Sequence, residues 1–126
     1  MLTDQIRSER GRQAHRRGLT AEAAACVALE ADGWTILARR LRTEAGEVDL
    51  VAERGGLLAL VEVKSRPTLA MAAAAIAPAQ QARLLAAAEI ILAEHPDWGR
   101  AGMRFDVILV DQAGQVRRVA DAFRLE

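Results

Sequence analysis

Four ionisable side chains lie inside two apolar runs of the stretch "GEVDLVAERGGLLALVEVKS", residues 46–65. Glu47 and Asp49 belong to the first run, and Glu62 and Lys64 belong to the second. Ionised groups are rarely buried unless they are paired or bind a metal. Carboxylates bind hard divalent cations, and a lysine beside them can orient or deprotonate an attacking water. These residue types are therefore typical of a metal-dependent hydrolytic site or of a structural ion-pair cluster.

The spacing of these residues predicts that they meet on one face of a β-hairpin. Gly55 and Gly56 lie between the two runs and predict a two-residue turn, because both tolerate positive φ. Pairing outward from this turn places Asp49 opposite Glu62, with Cβ atoms ~5 Å apart, and Glu47 opposite Lys64. A one-residue bulge would separate them. Two facing carboxylates repel each other, and Mg²⁺ would relieve that repulsion with only one or two protein ligands.

The spacing leaves a second interpretation open. Glu47 and Lys64 would form an ion pair, and Asp49 would be solvated. In either case the opposite parity of the hairpin is apolar and is expected to face a helix. That parity comprises Val48, Leu50, Ala59, Val61 and Val63.

Periodicity and turn residues predict seven elements around the hairpin. Helices are predicted at 20–31 and 76–94, and strands at 34–38, 47–53, 57–63, 103–110 and 115–120. The order α-β-β-β-α-β-β predicts a mixed α/β domain. Helical spacing predicts a buried stripe on the first helix, formed by Leu19, Ala23, Cys26, Val27 and Ala31. On the second helix it predicts Leu84, Leu85, Ala88, Ile91 and Leu92.

Composition limits the class of protein. The 126 residues carry a formal net charge of zero, so no global electrostatic field attracts nucleic acid. Only 3% of the residues are aromatic, so side chains on which bases could stack are few. We expect residues 1–17 to form an Arg-rich, partly flexible segment and residues 18–126 to form one domain. The single cysteine, Cys26, suits a reducing compartment. The N-terminus is polar and no apolar run is long enough for a membrane span, which predicts a cytoplasmic protein without membrane contact.

The chain resembles a known group of nucleases. The pattern Asp-x12-Glu-x-Lys, from Asp49 to Lys64, resembles the PD-(D/E)xK superfamily. The blocks "GLTAEAA", "GEVDLV", "LVEVKSR", "RFDVILV" and "DAF" resemble the YraN family of uncharacterised bacterial proteins, over roughly residues 17 to 123. This resemblance implies a restriction-endonuclease-like core, a mixed β-sheet with flanking helices similar in fold to archaeal Holliday-junction resolvases.

The resemblance also implies roles for individual residues. Asp49 and Glu62 would bind Mg²⁺ or Mn²⁺ with the Val63 carbonyl, and Lys64 would be the catalytic lysine. Glu22 would be an acid supplied by the first helix, although it also suits a helix N-terminus simply by complementing the dipole. The role of Glu47 stays open. Phosphate contacts are expected from Arg17, Arg40, Arg42 and Arg66, each of which is alternatively an ordinary surface arginine.

The chain departs from the family pattern at three places. Gln80 stands where a lysine is usual, Arg40 stands where an asparagine is usual, and an aromatic-Gly pair after the Lys-x-Arg block is missing. We expect a Mg²⁺-dependent endonuclease that hydrolyses phosphodiester bonds of branched or flapped DNA. The alternatives are a non-catalytic nucleic-acid-binding module, or a partner-binding protein or homodimer that docks through the alanine-rich segment 69–79 and the second helix.

Overall fold

The chain folds into a five-stranded mixed sheet with a helix on each face. The computed structural model describes residues 21–68, 70 and 78–123 of the chain. Helix α1 covers residues 21–31 and helix α2 covers Pro78–Glu94. The strands are β1 (Thr35–Thr43), β2 (Gly46–Arg54), β3 (Leu57–Ser65), β4 (Gly102–Val110) and β5 (Val116–Phe123). The predicted order α-β-β-β-α-β-β is confirmed, whereas the prediction of a flexible segment at 1–17 lies outside the described residues.

The strands lie in the sheet in chain order, β1-β2-β3-β4-β5. Neighbours are antiparallel except β3 and β4, which are parallel and are connected through α2. A parallel pair needs such a crossover, since a short turn can join only antiparallel strands. The mixed sheet with flanking helices is the architecture predicted for a restriction-endonuclease-like core. It places the C-terminal ends of β1 and β3 and the N-terminal end of β2 at the same end of the sheet.

The hairpin between β2 and β3 has the predicted register. Arg54 pairs with Leu57 and Leu50 pairs with Val61, so the turn is Gly55-Gly56. Both glycines have positive φ, 58° and 81°, as a tight two-residue hairpin turn with both central residues at positive φ requires. The hairpin geometry that the sequence predicts is therefore present from the turn as far as Leu50 and Val61.

Strand β1 is longer than predicted. The sequence indicated a strand at 34–38 followed by an Arg-rich link, but residues 39–43 continue the strand. Their pairing with β2 explains the difference, because Arg39 lies opposite Leu50 and Leu41 lies opposite Val48. Backbone pairing along a neighbouring strand outweighs the weak β-propensity of a charged segment.

Helix α1 packs on one face of the sheet with a different stripe from the predicted one. Cys26 is buried as expected, but Val27 is 67% exposed and Ala23 and Ala31 are also exposed, so that part of the prediction is wrong; Leu19 lies outside the described residues. The buried stripe consists instead of Ala21, Ala25, Cys26 and Leu29. Small apolar residues surround the helix on several sides, so helical spacing alone could not select the buried side.

Helix α2 covers the opposite face of the sheet. Leu84, Ala88 and Ile91 are buried there and Leu85 and Leu92 are half-buried, which agrees with the predicted stripe. The helix packs on Val51, Leu58, Leu60 and Phe105. Among the described residues, no helix is long and apolar enough to cross a membrane.

A charged cluster around Trp34 occupies the end of the sheet where the β2–β3 turn lies. Three guanidinium groups lie 4.8–5.0 Å from the centre of the buried Trp34 ring, and the carboxylates of Asp32 and Asp106 join them. The arginines are Arg54, Arg104 and Arg118. We call these six residues the Trp34 cluster. Its charges are mutually paired, which indicates a structural role.

Candidate active site

The hairpin residues that could take part in catalysis lie at the end of the sheet opposite the Trp34 cluster. The ladder between β2 and β3 ends at Leu50–Val61, one pair before Asp49 and Glu62. Beyond that point the Oδ2 atom of Asp49 accepts a hydrogen bond of 2.8 Å from the backbone N–H of Val63. The Asp49 side chain therefore bridges the two strands where their backbone pairing stops.

The regular alternation of β2 breaks at Asp49. In a regular strand Val48 and Leu50 would share a face. Leu50 instead packs in the core under α1 and Val48 packs in the core under α2, so the prediction that Val48 faces the same helix as Leu50 is wrong. Neither neighbouring strand pairs with Asp49, and Arg40, the residue between the β1 partners of Leu50 and Val48, has φ 51°. The backbone distortion is centred on the candidate site, where irregular backbone is often found.

Glu62 is buried, and among the described residues only one of its two carboxylate oxygens has a hydrogen-bond partner. Its side chain is 8% exposed, and its Oε1 atom accepts a hydrogen bond from Gln80 and lies 3.5 Å from Nζ of Lys64 and 3.6 Å from Nη2 of Arg83. Its Oε2 atom is buried and has no hydrogen-bond partner among the described residues. A buried carboxylate oxygen without a partner is costly to keep in a fold. It is therefore an oxygen that a cation could bind without displacing a described hydrogen-bond partner.

Lys64 stands beside Glu62 against an apolar floor. Its side chain is 15% exposed, so the ammonium group is largely withdrawn from water. In the parallel register Glu62 lies next to Val107 and Lys64 next to Leu109, and both of these β4 residues are buried. A cation and a carboxylate in poorly solvated surroundings interact more strongly than they would at the surface.

Burial, together with neighbouring acids, raises the pKa of both Asp49 and Glu62. Burial raises the pKa of Asp49, and the charges of Glu22 and Glu47 raise it further, against the Val63 N–H bond and the charge of Lys64. Burial also raises the pKa of Glu62, and the Asp49 carboxylate adds to this against the Lys64 and Arg83 cations. Each group therefore favours its protonated form more than an exposed carboxyl does, which is the electrostatic condition that a bound cation would relieve.

A stability measurement tests the raised pKa of Asp49. A carboxyl with a raised pKa binds more protons in the folded than in the unfolded state, so its contribution to stability is lost as the pH rises through the folded pKa. In EDTA, Asp49→Asn is expected to raise the melting temperature at pH 7 relative to wild type, and the difference is expected to shrink towards pH 4. Thermal unfolding followed by circular dichroism measures it. A lower melting temperature for Asp49→Asn throughout this range would contradict the electrostatic picture.

Glu22 and Glu47 are each engaged by an arginine. The Nε atom of Arg40 donates to Oε2 of Glu22 at 3.0 Å, and Nε of Arg42 lies 3.7 Å from Oε2 of Glu47. The alternative pair between Glu47 and Lys64 does not form, because Lys64 pairs with Glu62. Within residues 21–68, 70 and 78–123, no group of three or more acidic, histidine or cysteine side chains is arranged to hold a metal ion.

The residues present fit a site built on two carboxylates. After burial, the Asp49 carboxylate is the largest influence that raises the pKa of Glu62, and the buried Oε2 atom of Glu62 lacks a partner among the described residues. Mg²⁺ and Mn²⁺ accept carboxylate and carbonyl oxygens, and Mg²⁺ commonly uses only one or two protein carboxylates. Asp49, Glu62 and the Val63 carbonyl would hold the ion, and Glu22 would join once it is free of Arg40.

Gly46, at the start of β2, makes room for the arginine that reaches Glu62. Its φ is 137°, and a Cβ atom placed on it would lie 2.7 Å from Cδ and 3.0 Å from Cγ of Arg83. Side chains with a Cβ rarely adopt this φ, and the approach is closer than van der Waals contact allows. The glycine of the "GEVDL" block is therefore explained by local geometry that supports the site.

Gly46→Ala is expected to destabilise the protein by about 1–3 kcal/mol, because it adds a clash to an unfavourable backbone conformation. Urea unfolding measures this loss. Gly114→Ala is the matched control, since Gly114 has φ 84° but no atom lies within 4 Å of an added Cβ. Equal losses for the two variants would show that the Arg83 contact contributes nothing.

The predicted phosphate contacts fall in different surroundings. Arg42 and Arg66 are exposed at the same end of the sheet as Asp49, and the Arg42 side chain is 89% exposed. Arg66 donates to the neighbouring Ser65 carbonyl at 2.6 Å. Arg40 is bound to Glu22, and Arg17 lies outside the described residues. Arg42 and Arg66 are thus presented to solvent, whereas Arg40 is engaged within the site.

Two residues of the site were not predicted as members of it. Gln80 and Arg83 lie three positions apart on α2 and both contact Oε1 of Glu62. Their spacing on one helix face was the available signal, because residues i and i+3 are neighbours on a helix. From the sequence, Gln80 was noted only because it stands where the resemblance implies a lysine.

A family model and several curated proteins match most of this chain. The family described as "Uncharacterised protein family UPF0102" matches residues 21–110, a span that includes Glu22, Asp49, Glu62 and Lys64. A UPF0102 protein of Granulibacter bethesdensis is 64% identical over 117 residues, 93% of this chain and 74% of that protein. UPF0102 proteins of Azorhizobium caulinodans and Rhodopseudomonas palustris are 50% and 48% identical, over 93% and 87% of this chain and 89% and 85% of their own lengths. The chain belongs to the UPF0102 family, which is the YraN family that its motifs resemble.

Proposed function

We propose that the protein is a metal-dependent endonuclease that hydrolyses phosphodiester bonds in structured or branched DNA. The observation that carries the proposal is the buried Oε2 atom of Glu62, which has no hydrogen-bond partner in the described part of the chain. Glu62 shares its site with the carboxylate of Asp49 and the ammonium group of Lys64. A structural ion-pair cluster would pair both oxygens of its buried acid. This site leaves one oxygen without a partner in the described part of the chain.

The side chains divide the chemical work. Asp49 and Glu62 would hold Mg²⁺ or Mn²⁺ with the Val63 carbonyl, and Gln80 and Arg83 fix the orientation of Glu62 through its other oxygen. The bound ion would supply Lewis-acid stabilisation of the charge that develops on the phosphate. Lys64 orients or deprotonates the attacking water, or stabilises that negative charge, from its partly desolvated position.

Exposed arginines support nucleic acid as the partner. Arg42 and Arg66 lie at the same end of the sheet as the acids and can contact phosphates without breaking a buried interaction. Phosphate contacts provide affinity without reading sequence, which suits recognition of DNA by its shape. We also propose that the protein acts in the cytoplasm, where the free, buried thiol of Cys26 stays reduced.

One observation favours a second candidate function, a module that binds nucleic acid without cutting it. Glu22 is neutralised by Arg40, so only Asp49 and Glu62 of the three expected acids are available together. Such a module would bind DNA in a strongly salt-dependent way and would not take up metal.

The test is cleavage of a panel of Holliday junctions, flaps, linear duplexes, single strands and RNA, in Mg²⁺, Mn²⁺ or EDTA. We expect cleavage of a branched DNA with either metal and none in EDTA. Cleavage that persists in EDTA would contradict the proposal. Salt-dependent binding of the same substrates without cleavage in either metal would favour the non-catalytic module.

A further inference from the structure

One arginine pairs with Glu22, the third expected metal ligand. The Nε atom of Arg40 donates to Oε2 of Glu22 at 3.0 Å, and the Glu22 side chain is only 15% exposed. A hydrogen bond to a guanidinium engages a carboxylate oxygen that metal coordination would also require. The same oxygen atom cannot serve both partners at full strength.

The backbone of β1 holds Arg40 at this position. Arg40 has φ 51°, which is uncommon for a residue with a side chain, and it lies between the residues that pair with Leu50 and Val48. In that register it stands beside Asp49 on the neighbouring strand. Three carboxylates raise the pKa of the Arg40 guanidinium. Glu22 has the largest effect, and Glu47 and Asp49 add to it.

We propose that Arg40 competes with the divalent cation for Glu22. The Arg40 guanidinium neutralises Glu22 until a metal ion displaces it. This inference rests on the proposed metal site at Asp49 and Glu62. A metal ion bound by all three acids would repel the positive charge of the nearby Arg40 guanidinium and so weaken its pair with Glu22. The half-exposed Arg40 side chain has solvent into which it can swing. The displaced Arg40 guanidinium is then free to contact a phosphate of the substrate.

The competition predicts a measurable gain in metal affinity when Arg40 is removed. Arg40→Asn is expected to bind Mn²⁺ about threefold more tightly than wild type, the range that an exposed ion pair supplies. Asparagine tolerates a positive φ better than most side chains, so the variant is expected to fold. Arg39→Asn is the matched control, because it removes the same charge from the adjacent residue and leaves the Arg40–Glu22 pair in place.

Isothermal titration of Mn²⁺ into the full chain tests the inference without any cleavage assay. Wild type, the two arginine variants, Glu22→Gln and the double variant Glu22→Gln/Arg40→Asn form the set. We expect Arg40→Asn alone to tighten binding, and most of that gain to vanish in the Glu22→Gln background. Equal affinities of wild type and Arg40→Asn, or equal gains for Arg39→Asn and Arg40→Asn, would overturn the inference and leave the proposed metal site standing. Absence of Mn²⁺ binding by every protein in the set would overturn both.

Discussion

Replacing Lys64 with alanine is expected to lower the rate of metal-dependent DNA cleavage by about 10²- to 10⁴-fold, the contribution of a positioned general base or acid. The Lys64 ammonium group lies 3.5 Å from Glu62 and is mostly shielded from water. Few other groups of the site could replace it, because Arg83 is turned towards the same oxygen of Glu62 and Arg40 is bound to Glu22. Single-turnover cleavage of the preferred substrate measures the loss.

Two further variants separate the roles open to Lys64. Lys64→Arg retains a cation but cannot deprotonate a water, because guanidinium stays protonated. It is expected to remain as slow as Lys64→Ala if the lysine acts as a base, and to recover part of the rate if the lysine stabilises charge. Arg100→Ala is the control for loss of a surface cation, since Arg100 is 78% exposed beside the β2–β3 turn, and it is expected to cut like wild type. Unchanged cleavage by Lys64→Ala would remove this residue from the site.

Replacing Asp106 with alanine is expected to destabilise the protein by about 3–5 kcal/mol, the cost of breaking a buried charge pair from one side. The Asp106 side chain is 0% exposed. Its Oδ2 atom accepts hydrogen bonds of 3.1 Å from Arg104 and 3.0 Å from Arg118, and its Oδ1 atom accepts one of 2.9 Å from the backbone N–H of Asp121. Alanine would leave two partly buried guanidinium groups and an N–H without this acceptor.

Urea unfolding monitored by circular dichroism measures the effect of Asp106→Ala. Such a loss is a large part of the total stability of a small domain. Asp97→Ala is the control, because the Asp97 side chain is 85% exposed and its pair with Arg100 spans 3.7 Å, so a change below about 0.5 kcal/mol is expected. A loss below about 1 kcal/mol for Asp106→Ala would show that the Trp34 cluster does not stabilise the fold.

The elements of this fold follow from local signals that agree with one another. The Gly55-Gly56 turn fixes the register of β2 and β3 as far as Leu50 and Val61, one pair before Asp49 and Glu62. Helical spacing correctly predicts that Leu84, Ala88 and Ile91 of α2 are buried, and the bulk of leucine and isoleucine helps to identify that stripe among the alanines. Where apolar residues surround a helix, as in α1, the sequence cannot select the buried face, and Val27 proves to be exposed.

The parts of the site that escaped prediction depend on contacts between distant segments. The irregularity at Asp49 lies where the pairing of β2 with β3 ends and the Asp49 carboxylate accepts a hydrogen bond from the Val63 N–H. The periodicity of β2 does not predict it. The pairing of Arg40 with Glu22 joins residues 18 positions apart through the packing of α1 against the sheet. Gln80 reaches Glu62 across the same number of positions. Tertiary packing, rather than local sequence, decides each of these contacts.

A crystal of the full chain soaked in Mn²⁺ tests the central claim most directly, through the anomalous signal of the ion. We predict one strong anomalous peak bonded to carboxylate oxygens of both Asp49 and Glu62, including the Oε2 atom of Glu62 that has no hydrogen-bond partner among the described residues. The peak should be absent from crystals of Asp49→Asn soaked in the same way. Saturating Mn²⁺ without a peak at these two carboxylates would contradict the account.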